Sequence, residues 1–185
     1  PQGSCLGPLT CIILLDRLRA ACLPHKFVDD TTVTEILDKT AVSQMQQIVD
    51  ELVQQSANSR MNVNGTKTKE MLIGPISKHP PPQLRLDGAT VGRVTTFKLL
   101  GVHVANDLKW TQHVKAISSK VASRLYFLKQ LKRSGAPLSD LLCFYTTVVR
   151  PVLEYACPVW HSSLTDAQTE TLESLQKRAM SIVYS

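Results

Sequence analysis

The sequence predicts an α+β chain, strand-bearing up to about Asn106 and all-helical beyond it. Three observations predict this. Short β-branched or alternating stretches before residue 106 are punctuated by carboxylate, Asn-Gly and Asp-Gly turns. After Trp110, apolar residues recur at intervals of 3 and 4 over long stretches. The composition, 43% hydrophobic and 19% charged, can bury a core, so global disorder is not expected. The expected organisation is residues 1–106 followed by a helical region, 107–185.

The elements follow in order. Pro1 to Gly7 is a turn-rich lead-in, and Pro8 suits a first helical residue. Leu9 to Ala21 is then a largely apolar helix. Leu23 to Val28 is short and apolar, Asp29-Asp30 interrupts it, and Thr31-Thr32-Val33-Thr34 is β-branched, so strand, carboxylate turn, strand is predicted. Thr40 can cap a helix whose apolar stripe is Val42, Met45, Ile48, Val49, Leu52 and Val53. Met61 to Asn64 alternates, Asn64-Gly65 signals a hairpin turn, and Lys69 to Ile73 is its return strand.

Pro75 to Pro82 is a proline-rich loop. Gln83 to Val94 predicts a hairpin around Asp87-Gly88, and Phe97 to Val104 a strand interrupted at Gly101. Val114, Ile117, Val121, Leu125, Leu128 and Leu131 then define one helix, stopped by Ser134-Gly135-Ala136-Pro137. Leu138 to Val149 and Asp166 to Val183 complete the helices.

The net charge is +6, and its placement carries more information than its size. Lys109, Lys115, Lys120, Arg124, Lys129, Lys132 and Arg133 fall between Leu108 and Ser139, a stretch with no Asp or Glu. The other fourteen Lys and Arg against fifteen Asp and Glu leave the remainder at −1. Such a segment suits a polyanion such as nucleic acid, or is simply a solvated helix face. The cysteines, 5 in number, form no CxxC pair, which fits reduced intracellular thiols better than a disulfide framework. Cys157 and His161 share i, i+4 spacing, but Pro158 separates them and no second ligand pair is nearby. The longest apolar run, Cys11 to Leu15, is far too short for a membrane span, and no membrane partner is expected. The start at Pro1 rather than Met leads us to expect a fragment.

Asp29-Asp30 is the sharpest chemical feature. Adjacent carboxylates at a hairpin tip offer hard oxygen ligands suited to Mg²⁺. Asp pairs are also ordinary turn residues, because Asp hydrogen-bonds its own backbone.

The surrounding motifs resemble one family. Pro1-Gln2-Gly3-Ser4, Leu6-Gly7-Pro8-Leu9 and Phe27-Val28-Asp29-Asp30-Thr31 stand in order, as do Asn64-Gly65-Thr66-Lys67-Thr68-Lys69 and Phe97-Lys98-Leu99-Leu100-Gly101-Val102. Leu108-Lys109-Trp110 with His113, Arg150-Pro151-Val152-Leu153-Glu154-Tyr155-Ala156, Pro158-Val159-Trp160-His161 and Gln176-Lys177-Arg178-Ala179 follow. Together they resemble the reverse transcriptase of a non-LTR (LINE-like) retrotransposon, from within the palm subdomain onward, over essentially the whole chain.

The resemblance implies a partial polymerase palm with antiparallel strands and packed helices, then a helical thumb. It implies RNA-directed DNA synthesis on an RNA template and DNA primer from deoxynucleoside triphosphates, with two Mg²⁺ ions in the complete enzyme. Asp29 is then the metal-binding carboxylate and Asp30 its neighbour. Lys67 serves the departing pyrophosphate, or is a surface lysine on a hairpin. Gln2, Gly3, Ser4 and Phe27 lie beside the nucleotide and template. Leu100 and Gly101 hold the primer terminus, or form a core strand with a bulge. Lys115, Lys120, Arg124, Lys129, Lys132 and Arg133 contact the phosphates of the duplex.

The family also needs an Asp from an earlier strand, and fingers upstream of Pro1. Those, with an endonuclease, are expected in a preceding part of the polyprotein, and this piece is expected to be inactive alone. The competing expectation is a non-catalytic relic or domesticated fragment that binds nucleic acid through the basic helices. Either is expected inside the cell.

Overall fold

The computed structural model describes residues 24–38 and 41–185, the side chains of 77 and 78 excepted. The Leu9 to Ala21 helix, the Gln2-Gly3-Ser4 segment and the Thr40 cap lie outside the described residues. The fold is α+β, with short strand pairs and one long helix first and helices alone after Ala105. The chain divides into two compact units, one ending at Val94 and the other Thr95–Ser185.

In the first unit, β1 (His25–Phe27) and β2 (Asp30–Thr32) form an antiparallel hairpin. Helix α1 (Met45–Asn58) starts later than its apolar pattern predicts, leaving Val42 87% exposed outside it. The start is fixed by Glu35. Its carboxylate accepts the Ser43 hydroxyl (2.7 Å) and the Gln44 N–H (2.7 Å), and the Ser43 hydroxyl accepts the Met45 N–H (3.2 Å). A carboxylate there also opposes the positive end of the helix dipole.

The hairpin expected around Asn64-Gly65 does not form. Neither residue takes the left-handed φ that a two-residue hairpin turn requires. Instead the Asn64 carbonyl accepts the Thr68 N–H (3.0 Å) and its side chain accepts the Lys67 N–H (3.1 Å), closing one helical turn. The return strand shrinks to β3 (Lys69–Glu70), which pairs in parallel with β6 (Gly92–Arg93). Pro75–Lys78 forms a 3₁₀ turn.

Between them, β4 (Arg85–Leu86) and β5 (Ala89–Thr90) make the predicted hairpin. Asp87 (φ 51°) and Gly88 (φ 80°) supply its two left-handed residues. The Gln46 amide of α1 bridges both backbone groups of Arg85, accepting its N–H (2.8 Å) and donating to its carbonyl (2.9 Å). The buried Glu70 carboxylate takes two hydrogen bonds from the Arg93 guanidinium (2.8 and 3.1 Å), which also donates to the Pro81 carbonyl (2.9 Å).

The second unit opens with β7 (Thr96–Leu99) and β8 (Val102–Ala105), antiparallel in register from Thr96 opposite Ala105 to Leu99 opposite Val102. The single strand expected over Phe97 to Val104 is therefore a hairpin. Leu100 (φ 45°) and Gly101 (φ 89°) turn the chain back on itself.

Helix α2 (Thr111–Arg133) follows with its predicted apolar face inward: Val114, Ile117, Val121, Leu125 and Leu128 are buried. It ends in a Schellman motif, with Ala136 N–H donating to Leu131 (3.2 Å) and Gly135 N–H to Lys132 (3.0 Å). Gly135 has φ 79°, the conformation that this stop signal demands.

Helix α3 (Leu138–Phe144) passes through a π-helical stretch, Tyr145–Val149, into α4 (Arg150–Glu154). Pro151 explains the wide turn, since proline brings no N–H and its ring crowds the carbonyl four residues back. Ala156 (φ 52°) then redirects the chain into α5 (Cys157–Trp160). The last helix, α6 (Asp166–Tyr184), starts with a capping box in which Thr165 and Gln168 satisfy each other's N–H groups. The core joins Val121, Leu125 and Leu128 of α2 to Leu141, Trp160 and Ile182. Burying each large side chain contributes about 1.5–3 kcal/mol.

Candidate functional site

The Asp hairpin is tight. Phe27 pairs across from Asp30, so Val28 and Asp29 are its two loop residues. Val28 has φ 54°, which is costly for a β-branched side chain, on the order of 1–3 kcal/mol. Phe27 (59%) and Val28 (66%) stand exposed, and Asp29 and Asp30 are exposed as well. Tight pairing on both sides thus holds an unfavourable backbone at the tip, with both carboxylates open to solvent.

As a donor set, two adjacent carboxylates completed by water suit one Mg²⁺. Two ions need more oxygen ligands than the pair supplies. Among the described residues, no group of three or more His, Cys, Asp or Glu is arranged to hold a metal ion.

Lys67 sits exposed on the Asn64-capped turn, its own N–H bound to Asn64. Its neighbour Lys69 instead folds back to the Thr66 carbonyl (3.0 Å). Gln2, Gly3 and Ser4 fall outside the described residues.

Leu100 and Gly101 form the tip of the β7–β8 hairpin, and a side chain from α4's end holds them there. The Tyr155 hydroxyl donates to the Leu100 carbonyl (2.8 Å). A Cβ placed on Gly101 would lie 3.0 Å from Tyr155 Cε1. The tip is thus fixed both by a hydrogen bond and by the absence of a side chain at Gly101.

The six basic residues of α2 separate into groups. Lys115, Lys120, Lys129 and Arg133 are exposed. Arg124 is half-buried, and its guanidinium donates to the Val148 carbonyl in the π-helical stretch. The Lys132 ammonium donates to the Ile182 carbonyl (2.7 Å) and the Ser185 hydroxyl (3.2 Å) at the end of α6. Lys129, Lys132, Arg133, Ile182 and Ser185 line an open cleft. The carbonyl ends of α2 and α6 give that region negative character, which accounts for Lys132 without an anionic ligand.

The sequence assigns no role to two further features. Tyr126 (60%) and Phe127 (55%) stand exposed mid-way along α2, their rings edge to face at 5.7 Å. The α2 stripe pattern leaves both off the core face, a signal available from spacing alone. His113 is the other: it is buried between Trp110 and Trp160, with ring centroids at 6.0 and 5.3 Å. Its Nδ1 accepts the His103 N–H (3.3 Å), and its buried Nε2 has no hydrogen-bond partner. Burial, then the charges of His103 and Lys120, lower its pKa from the ordinary value of 6.5.

Among the described residues, no helix is long and apolar enough to cross a membrane. The chain is similar to a "Probable RNA-directed DNA polymerase from transposon X-element" of Drosophila melanogaster, at 24% identity over 196 aligned positions. The alignment takes in 99% of this chain and 21% of that protein, so the chain spans about a fifth of the relative's length. No protein-family model and no solved structure matches the chain.

Proposed function

We propose that the chain is a piece of the RNA-directed DNA polymerase of a non-LTR retrotransposon, carrying one part of its metal site and the helices that follow. The observation that carries this reading is the strained Asp29-Asp30 hairpin within a chain of which 99% aligns with part of a probable RNA-directed DNA polymerase from a transposon. Asp29 and Asp30 would hold Mg²⁺, which supplies charge neutralisation for nucleotidyl transfer when bound. Lys67 would meet the pyrophosphate. The Leu100-Gly101 tip would meet the primer, and the exposed cations of α2 the template–primer phosphates.

The piece is inactive by itself on this reading, because among the described residues no further carboxylate joins the pair, and a pair alone cannot position two ions. Primer extension on an RNA template with Mg²⁺ tests that. The 185-residue chain should give no product, and extension that disappears in Asp29→Ala would overturn its inactivity.

The acid-free α2 favours a second reading, a non-catalytic nucleic-acid binder. Duplex binding with a steep salt dependence, unchanged by Asp29→Ala and without any contribution to polymerisation, would favour it.

A further inference from the structure

We propose that the outer face of α2 is a single-strand nucleic-acid site in which Tyr126 stacks on an unpaired base. The helix packs on the core through Val114, Ile117, Val121, Leu125 and Leu128. Lys115, Tyr126, Lys129 and Arg133 occupy a different row, at intervals of 11, 3 and 4 residues, that keeps them on one helical face. All four are exposed. Ser119 and Ala122, the residues that complete the row, are small and exposed, so nothing shields the ring on its N-terminal side.

Chemistry narrows the occupant to a polyanion with flat faces. The helix carries no Asp or Glu, and no ion pair engages Lys115, Lys129 or Arg133 among the described residues. The cations of α2 that do have internal partners, Arg124 and Lys132, belong to other rows. The row therefore places three of the helix's four exposed cations on the same face as its most exposed aromatic ring. From Lys115 to Arg133 the row spans roughly 27 Å. That is room for several nucleotides of an extended strand, with cations tracking phosphates and an aromatic platform taking a base.

An unpaired strand fits better than a duplex. A ring on a helix surface reaches a base face freely in a single strand, whereas in a duplex it must first unstack a step, at a few kcal/mol. The proposal rests on exposure and charge in α2, and it stands whether or not Asp29 belongs to a polymerase.

The test is fluorescence anisotropy of the full 185-residue chain with a labelled oligo-dT strand and with a blunt DNA duplex, in low salt. Tyr126→Ala should weaken oligo-dT binding roughly 5- to 150-fold, the equivalent of one lost base stack. Tyr126→Phe should keep it within about twofold, since the stacking face remains. The Lys129→Gln, Arg133→Gln double variant should flatten the salt slope by about 1.4. Duplex binding should be unaffected by Tyr126→Ala, and circular dichroism should show the helices intact. Equal affinity of the wild type and Tyr126→Ala for oligo-dT would overturn the proposal. So would an equal loss on the duplex, or no binding to oligo-dT at all. None of these readouts involves nucleotide addition or Asp29, so their failure is distinct from failure of the polymerase reading.

Discussion

Tyr155 covers Gly101: its hydroxyl donates to the neighbouring Leu100 carbonyl at 2.8 Å, and its ring occupies the space a Cβ on Gly101 would need. The residues are far apart in sequence, yet they fix one turn between them. Gly101→Ala adds a side chain at φ 89° and presses it against the ring. It should destabilise the chain by about 1–2 kcal/mol or more, read as a lower urea midpoint. Tyr155→Phe keeps the ring and loses the hydrogen bond, so about 1 kcal/mol is expected. If both variants match the wild type, the turn is not held by this contact.

Glu70 and Arg93 make a second long-range tie. Removing the guanidinium leaves a buried carboxylate unpaired and frees the Pro81 carbonyl. Arg93→Ala should cost about 3 kcal/mol, and Arg93→Lys should recover little because an ammonium cannot bind both oxygens in parallel. Limited proteolysis should then cut faster within residues 75–82.

Acid should weaken the second unit through His113. Its folded-state pKa lies below its unfolded value, so the folded form binds fewer protons in the window beneath the ordinary 6.5. The stability held above that pH is lost progressively as pH falls through the window. Urea titrations at pH 7.5 and 5.5 should show a lower midpoint in acid, and His113→Phe should reduce the difference. An unchanged difference in the variant would remove His113 as its source.

What the sequence made legible was what local chemistry decides. Asp87-Gly88 is a turn signal in its own right, and five of the six buried positions of α2 follow from spacing alone. The Leu100-Gly101 turn was harder to read because Leu disfavours a left-handed φ, and the residue that steadies it, Tyr155, comes from a distant helix. The region after Met61 misled for the opposite reason: Asn64-Gly65 suits a hairpin, but the Asn64 side chain and carbonyl close a helical turn instead. The parallel pairing of Lys69-Glu70 with Gly92-Arg93 has no local signature.

The candidate site was partly legible in the same sense. Asp29 stands at a hairpin tip as the strand-turn-strand pattern predicts, but its partner in the turn is Val28, and Asp30 opens the return strand. The basic run read as one patch, yet Arg124 and Lys132 bind carbonyls of distant helical residues. Only the period of the helix separates them from the row shared by Lys115, Tyr126, Lys129 and Arg133.

The Val28 backbone offers a direct view of strain at that tip. Val28→Gly relieves the left-handed φ without touching either carboxylate. It should leave stability unchanged or raise it by up to about 1 kcal/mol, because lost strain offsets the glycine's added chain entropy. A loss above 1 kcal/mol would mean the valine side chain supports the hairpin.

The central claim is best tested by grafting. Residues 1–185 would replace the matched segment of the X-element polymerase, and primer extension on an RNA template would be measured with Mg²⁺. The account predicts product from the chimera and none above background from its Asp29→Ala variant. A folded chimera that binds primer–template yet makes no product, or makes as much with Asp29→Ala, would contradict it.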